Sequence, residues 1–345
     1  MRPLIALSLC IISPISLAAN TAIVAKTYHD SQRQRIIKAK LLYPTAAQKT
    51  KQLFADNPAF KGFKAIKNAP LQGKNLPLYI LVHGTSGNWK NLSWLGNDLV
   101  QSGAFVISAD YPGYTTGQAT PDKVLRMWEQ PRDVSFLIDQ VLSGKYAQFI
   151  NKHNITVIGY SLGGYSALAL SGARLDINRY QSYCSQNQDA SCRYFKKAFK
   201  GLSTQDQKMI SSNYSDPRVT RTIAITPGFV PAIVPSSFNQ LHGHPLVIAA
   251  QLDRHVPPKL QLKPYLTQNI QQIHYAEIKG ASHFSFMQIC KPQAISILAQ
   301  ENAAFVCQEA GPVSRSSIHR KVISIIKKYI STYEHKTLTP PGNNR

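Results

Sequence analysis

Residues 155–164 read ITVIGYSLGG, and this stretch decides the architecture. Residues 155–159 are apolar and rich in β-branched side chains, the composition of a short buried strand. The next residues, Gly159-Tyr160-Ser161-Leu162-Gly163, match G-x-S-x-G. In that spacing a strand turns sharply into a helix, and the flanking positions leave no room for larger side chains. Gly163-Gly164 and the small residues over 165–171 then open a helix. A bare G-x-S-x-G is weak, because a glycine-rich turn around an inert serine has the same spelling. The strand before it and the helix after it are the context that gives Ser161 meaning.

Outward from this turn, strand-like and helix-like runs alternate. Residues 78–82 form an apolar strand ending in His83-Gly84-Thr85-Ser86-Gly87, residues 89–100 carry helical spacing, and 104–109 form a strand ending in Asp110-Tyr111-Pro112-Gly113. Pro131 suits the first turn of a helix through Phe136 and Val141, where its missing N–H costs nothing. Beyond the serine, strands are expected over 219–225, 245–250 and 273–278, with helices over 259–270 and 318–330. This alternation predicts an α/β protein with a mostly parallel central sheet flanked by helices, and the G-x-S-x-G turn placed within it points to the α/β-hydrolase fold. Between about 173 and 217 the periodicity lapses and two cysteines appear among Tyr, Lys, Arg, Ser and Gln, which reads as an inserted cap or lid. No internal repeat is found, and the tail after Thr337 reads as disordered.

Residues 1–19 begin Met1-Arg2, continue as a Leu-, Ile-, Ala- and Ser-rich run and end at Ala18-Ala19, the pattern of a signal peptide. The run is too short to span a bilayer, which takes about 20 apolar residues, and no later stretch reaches that length. Cys10 follows Leu9 where a lipoprotein signal needs a small residue, so the expectation is a soluble, exported protein, periplasmic or secreted, with one domain over 20–345. Export leaves Cys184, Cys192, Cys290 and Cys307, an even set that reads as two disulfides. Of three possible connectivities, spacing favours Cys184 with Cys192 and Cys290 with Cys307. A zinc site competes, but no CxxC or paired-histidine spacing supports it. The formal charge of +22 includes Arg2. Such a surface attracts anions, and an anionic membrane suits an exported protein, although solubility alone is an equal explanation. No specific nucleic-acid signature accompanies the charge.

A serine at its ordinary pKa needs a histidine base, itself oriented by a carboxylate. In this fold their order along the chain is serine, acid, histidine. Asp253 follows the strand ending at Ala250, and His283 follows the strand ending at Ile278, so both belong to loops that converge on Ser161. His255 is a weaker rival. His274 lies within a strand and His319 within a helix, while His242 and His244 precede a strand. Asp110 precedes the nucleophile and reads as structural, as does His83. The oxyanion of a tetrahedral intermediate needs two donors. The amide of Leu162 is one, and the His83-Gly84-Thr85 loop offers the other, at Thr85.

Five ordered blocks, LVHGTSG over 81–87, ADYPG over 109–113, WEQPRD over 128–133, GYSLGG over 159–164 and GASHFSF over 280–286, are similar to a family. The chain resembles the bacterial predicted dienelactone hydrolase group, which is related to plasma-type platelet-activating-factor acetylhydrolases, over roughly residues 36–310. The resemblance implies a triad of Ser161, Asp253 and His283, oxyanion donors at Thr85 and Leu162, ester hydrolysis through an acyl-enzyme, and no metal or organic cofactor. One departure is Thr226-Pro227-Gly228, which stands where the eukaryotic acetylhydrolases carry their acid. Another is the nucleophile, which is cysteine in true dienelactone hydrolases. The expected substrate is a small-molecule or lipid ester with a short acyl chain, including short or oxidised phospholipids. A peptidase or amidase with the same residues, and a non-catalytic binding protein, are the alternatives.

Overall fold

The computed structural model describes residues 20–338, with side chains through residue 332. The leader read over 1–19 and the tail residues 339–345 lie outside the described residues. Ten strands are described: β1 Asn20–Asp30, β2 Arg35–Thr45, β3 Gln52–Phe54, β4 Phe63–Lys67, β5 Leu76–Val82, β6 Phe105–Asp110, β7 Ile150–Tyr160, β8 Arg221–Ile225, β9 Leu246–Ala250 and β10 His274–Ile278. They lie in the order β10-β9-β8-β7-β5-β6-β2-β1-β4-β3. From β10 through β6 every neighbouring pair is parallel, so the sheet is mostly parallel, with an antiparallel flank where β2 meets β6 and β1.

Helices cover both faces. They are α1 Ser93–Gln101, α2 Pro121–Leu125, α3 Glu129–Leu142, α4 Leu162–Leu170, α5 Ile177–Gln186, α6 Ala190–Phe195, α7 Thr204–Ser211, α8 Lys263–Leu266, α9 Ala294–Ala299 and α10 Arg315–Leu338. Strand β5 is apolar along its length because both its faces are covered. Leu78, Ile80 and Val82 face one apolar layer with Leu137 and Ile138 of α3 and Leu168 of α4. Tyr79 and Leu81 face the other with Leu95 and Leu99 of α1 and Ile318, Val322 and Ile326 of α10. The period of two along the strand distributes its side chains between the layers. All nine residues of α4 are buried, which is why its sequence has no polar stripe.

One expectation needs correction. The single helix read over 259–270 is broken into a π turn at Pro258–Leu262, the four-residue α8, and a 3-10 turn at Thr267–Asn269. Pro264 lacks the N–H that would continue the ladder and its ring crowds the preceding turn. The region before residue 78, unassigned above, holds the eleven-residue hairpin of β1 and β2, paired from Asn20↔Thr45 to Asp30↔Arg35.

The segment read as a cap carries α5, α6 and α7 between α4 and β8. Helix α5 is capped by Asp176, α6 by Asp189, and α7 by a reciprocal capping box between Ser203 and Asp206. Its apolar residues recur too irregularly to announce helices, but the caps explain where each begins. Cys184 pairs with Cys192 and Cys290 with Cys307, at Cα separations of 5.3 and 5.9 Å. No helix among the described residues is long and apolar enough to cross a membrane.

Candidate active site

Ser161 stands between the end of β7 and the start of α4 at φ 56° and ψ −117°, a conformation few non-glycine residues hold. The main chain pins it there: its amide donates to the carbonyl of Ile225, and its own carbonyl accepts from the amides of Tyr165 and Gly228. The two glycines are required sterically. A Cβ on Gly159 would sit 1.8 Å from the carbonyl oxygen of Gly163, and one on Gly163 would sit 2.2 Å from that of Val82.

The loops after β9 and β10 bring Asp253 and His283 to this serine. His283 Nε2 lies 3.1 Å from Ser161 Oγ, and His283 Nδ1 lies 2.7 Å from Asp253 Oδ2. Since the carboxylate accepts, Nδ1 carries the proton and Nε2 is left to accept from the serine hydroxyl. Asp253 Oδ1 accepts from the amides of His255 and Val256 at 2.7 and 2.8 Å, which locks the carboxylate in its turn. The carbonyl of His283 accepts from the Tyr160 hydroxyl at 3.0 Å. Asp253 and His283 are each 5% exposed, so solvent hardly competes for these bonds. Such a chain can take the serine proton as the hydroxyl attacks a carbonyl.

Thr85 and Leu162 line the same cavity as Ser161. Leu162 opens α4, so its amide has no acceptor within its own helix and points out of the positive end of the helix. The loop bearing Thr85 is held by His83. The His83 ring accepts the Tyr111 amide at Nε2 and meets the carbonyl of Gly84 at Nδ1, 2.8 Å away. Burial pushes its pKa down to about 4, and the two contacts suit the neutral ring.

Sequence reasoning missed Gln130. This fully buried side chain donates from Nε2 to the carbonyl of His83 at 3.0 Å and accepts at Oε1 from Ser166 Oγ at 2.8 Å. It therefore ties the Thr85 loop to α4. Helix α3, which carries Gln130, is in turn tied to the amino-terminal hairpin. Arg35 makes a two-pronged ion pair with Asp133, at 2.7 and 2.5 Å, and Arg33 bonds Glu129 and Asp30. Gln130 falls within the WEQPRD block, but nothing in a lone sequence says that a glutamine there reaches two other segments.

The other candidates fall elsewhere. His255 stacks on His283 with ring centroids 5.1 Å apart, yet the hydrogen bond to Ser161 comes from His283. Asp110 accepts the Trp89 amide. His319 stacks on Trp94 at 3.6 Å and bonds the Met287 carbonyl. His242 meets Ser215, and His274 packs near His244 and Tyr329. The Thr226-Pro227-Gly228 turn supplies the Gly228 amide to Ser161 rather than a carboxylate.

Above Ser161 opens a cavity of about 480 Å³. Tyr180, Tyr194 and Phe195 from the inserted helices line it, with Phe229, Phe284 and Phe305. Tyr183 lies behind Tyr180, stacked on it at 5.8 Å. No group of three or more His, Cys, Asp or Glu among the described residues is arranged to hold a metal ion.

A model of the Alpha/beta hydrolase family matches residues 79–290, which contain Thr85, Ser161, Asp253 and His283. Among solved structures the chain is similar to a ferulic acid esterase from Streptomyces cinnamoneus, at 14% identity and a TM-score of 0.55 over 97% of this chain and 95% of that one. It also overlaps a Bacteroides ovatus protein described as a dipeptidyl aminopeptidase IV, at 13% identity and a TM-score of 0.48, over 83% of this chain and 36% of the other. At these identities the first likeness carries the fold alone. No curated protein sequence matches the chain.

Proposed function

The chain belongs to the alpha/beta hydrolase family, and from that premise we propose that it hydrolyses carboxylic esters through Ser161, His283 and Asp253. The observation that carries the proposal is the hydrogen-bonded chain Ser161–His283–Asp253 at the floor of an apolar cavity. In this reading Ser161 Oγ attacks the ester carbonyl while His283 Nε2 takes its proton. The amides of Leu162 and Thr85 stabilise the oxyanion, and His283 returns the proton to the departing alcohol. Water, activated by the same imidazole, then attacks the acyl-serine, releases the acid and restores Ser161. Asp253 keeps His283 in the required tautomer and stabilises it once protonated.

The finer parts of the proposal rest on sequence. The blocks quoted above support a place beside the bacterial predicted dienelactone hydrolases and the platelet-activating-factor acetylhydrolases. Short-chain acyl esters, with short or oxidised phospholipids among them, are the substrates to test, and an anionic membrane is the surface to test. We further propose that residues 1–19 are a removable leader, that residues 20–345 form one catalytic unit with its cap at 173–217, and that the mature protein works in an oxidising compartment. The two cysteine pairs at bonding distance support that location.

The test is turnover of p-nitrophenyl esters from acetyl to palmitoyl by the mature protein, with and without a serine-directed phosphonate. Short-chain activity abolished as the phosphonate labels Ser161 is the expected result. No turnover and no labelling would refute the reading.

A further inference from the structure

The cavity differs from the rest of the molecule in its charge. The chain carries 39 Lys and Arg against 17 Asp and Glu, yet none of the described residues lining the cavity is Asp, Glu, Lys or Arg. Asp253 is spent on His283 and does not line the cavity. The titratable groups that do reach it are two tyrosines of the insertion, Tyr160, and the imidazoles of His255 and His283. Burial and the neighbouring His283 push the His255 pKa down to about 4, which leaves this ring neutral at pH 7.

The walls are aromatic and come as two clusters. Phe229 packs against Tyr180 at 4.8 Å and Phe195 at 5.1 Å. On the other cluster Phe284 packs against His255 at 4.9 Å and Phe305 at 5.2 Å. Each cluster is braced by a cystine close in sequence: Cys192 lies three residues before Phe195, and Cys307 two residues after Phe305. Ring faces carry partial negative charge and welcome the positive edge of another ring, while they repel an anion. An anionic group in this cavity would lose its water and find no Lys or Arg in the lining to pair with; Arg193 acts on His255 from outside that lining, with Asp189 opposing it.

From this lining we infer that the cavity takes the uncharged, ring-bearing part of an ester and rejects parts that carry a carboxylate or phosphate. The inference rests on the proposed role of Ser161 only for its kinetic arm. It also separates two functions of charge: the basic surface attracts anions at long range, whereas the cavity discriminates against them at contact. For a phospholipid substrate, the phosphate would stay outside and only neutral acyl groups would enter.

The probes are benzyl acetate and 4-(acetoxymethyl)benzoate, which differ by one carboxylate, with ethyl acetate as the ringless control. The expected kcat/KM for benzyl acetate exceeds that for the carboxylate probe by about 100-fold, and that for ethyl acetate by about tenfold. Equilibrium binding of the same probes to Ser161→Ala protein is expected to follow the same order. Phe305→Lys, a change at a side chain 47% exposed at the rim, places a cation there and should shrink the carboxylate penalty at least about tenfold. Equal kcat/KM for the two benzyl probes, with phosphonate still labelling Ser161, overturns the inference and leaves the esterase reading standing. If no probe turns over and Ser161 is not labelled, the esterase reading fails, and binding alone decides: preference for benzyl acetate upholds the inference and equal binding overturns it.

Discussion

The two ends of the cavity are built in different ways. At the polar end, Ser161, Asp253 and His283 follow the last residues of β7, β9 and β10 by one, three and five positions. Main-chain pairing sets where those strands end, so the three side chains arrive together once the register is made. At the aromatic end, Tyr180 and Phe195 come from inserted helices, Phe229 from the turn after β8, Phe284 from the loop after β10, and Phe305 from a 3-10 turn beyond it. Phe229 and Phe284 also follow strand ends, but the aromatic residues of the inserted helices and of the 3-10 turn reach them only through side-chain packing, with a cystine close to each of Phe195 and Phe305. A position set by the backbone ladder leaves a mark in local sequence, and one set by packing across segments does not.

The largest effects are expected at the polar end. Ser161→Ala and His283→Ala are each expected to lower kcat by about 10⁴- to 10⁶-fold with unchanged near-ultraviolet circular dichroism. Near-normal turnover in either would remove the polar end from the chemistry. A smaller effect is expected one step back. Gln130→Leu breaks the tie between the Thr85 loop and α4 and should lower kcat by about 10- to 100-fold with KM little changed, in line with a displaced oxyanion donor. A loss confined to thermal stability would instead make Gln130 a purely structural bond.

The aromatic end should respond in the opposite sense. Phe229→Ala is expected to raise KM for an aromatic ester about tenfold while kcat stays within about twofold, because it removes contact surface and no reacting group. A fall in kcat of the triad's size would erase the distinction between the ends. The smallest effect concerns pH. Burial holds His83 neutral with a pKa near 4, and burial together with Arg315 holds His319 near 3. The unfolded chain protonates both near pH 6.5 while the folded one does not. Stability contributed by these rings is therefore whole above about pH 6.5 and declines as the pH falls toward 4. Thermal unfolding scans from pH 7 to 4 should show a falling midpoint, with a shallower slope in His319→Gln.

Legibility followed the same division. The strand and helix flanking Ser161 were readable because apolar runs and glycines sit within ten residues of each other. The apolar spacing over 259–270 fits a single helix, but Pro264 breaks it. No local pattern marks the β1–β2 hairpin, although β2 covers the β6 edge of the parallel strands and Arg33 of its turn and Arg35 of β2 anchor α3. Its partners, Asp133 and Glu129, lie about a hundred residues away, and sequence spacing carries no sign of such a pairing.

By itself the sequence determined the α/β layering, the serine turn, and the order in which a serine, a carboxylate and a histidine follow strand ends. Those features depend on periodicity, steric room at glycine, and chain order, all of which are local. Only the folded chain brings Gln130 between the Thr85 loop and α4, and only there does a strongly basic chain enclose a cavity whose described lining holds no Asp, Glu, Lys or Arg. These are outcomes of which side chains meet after the sheet has closed, and contacts of that kind are selected by shape and desolvation across distant segments.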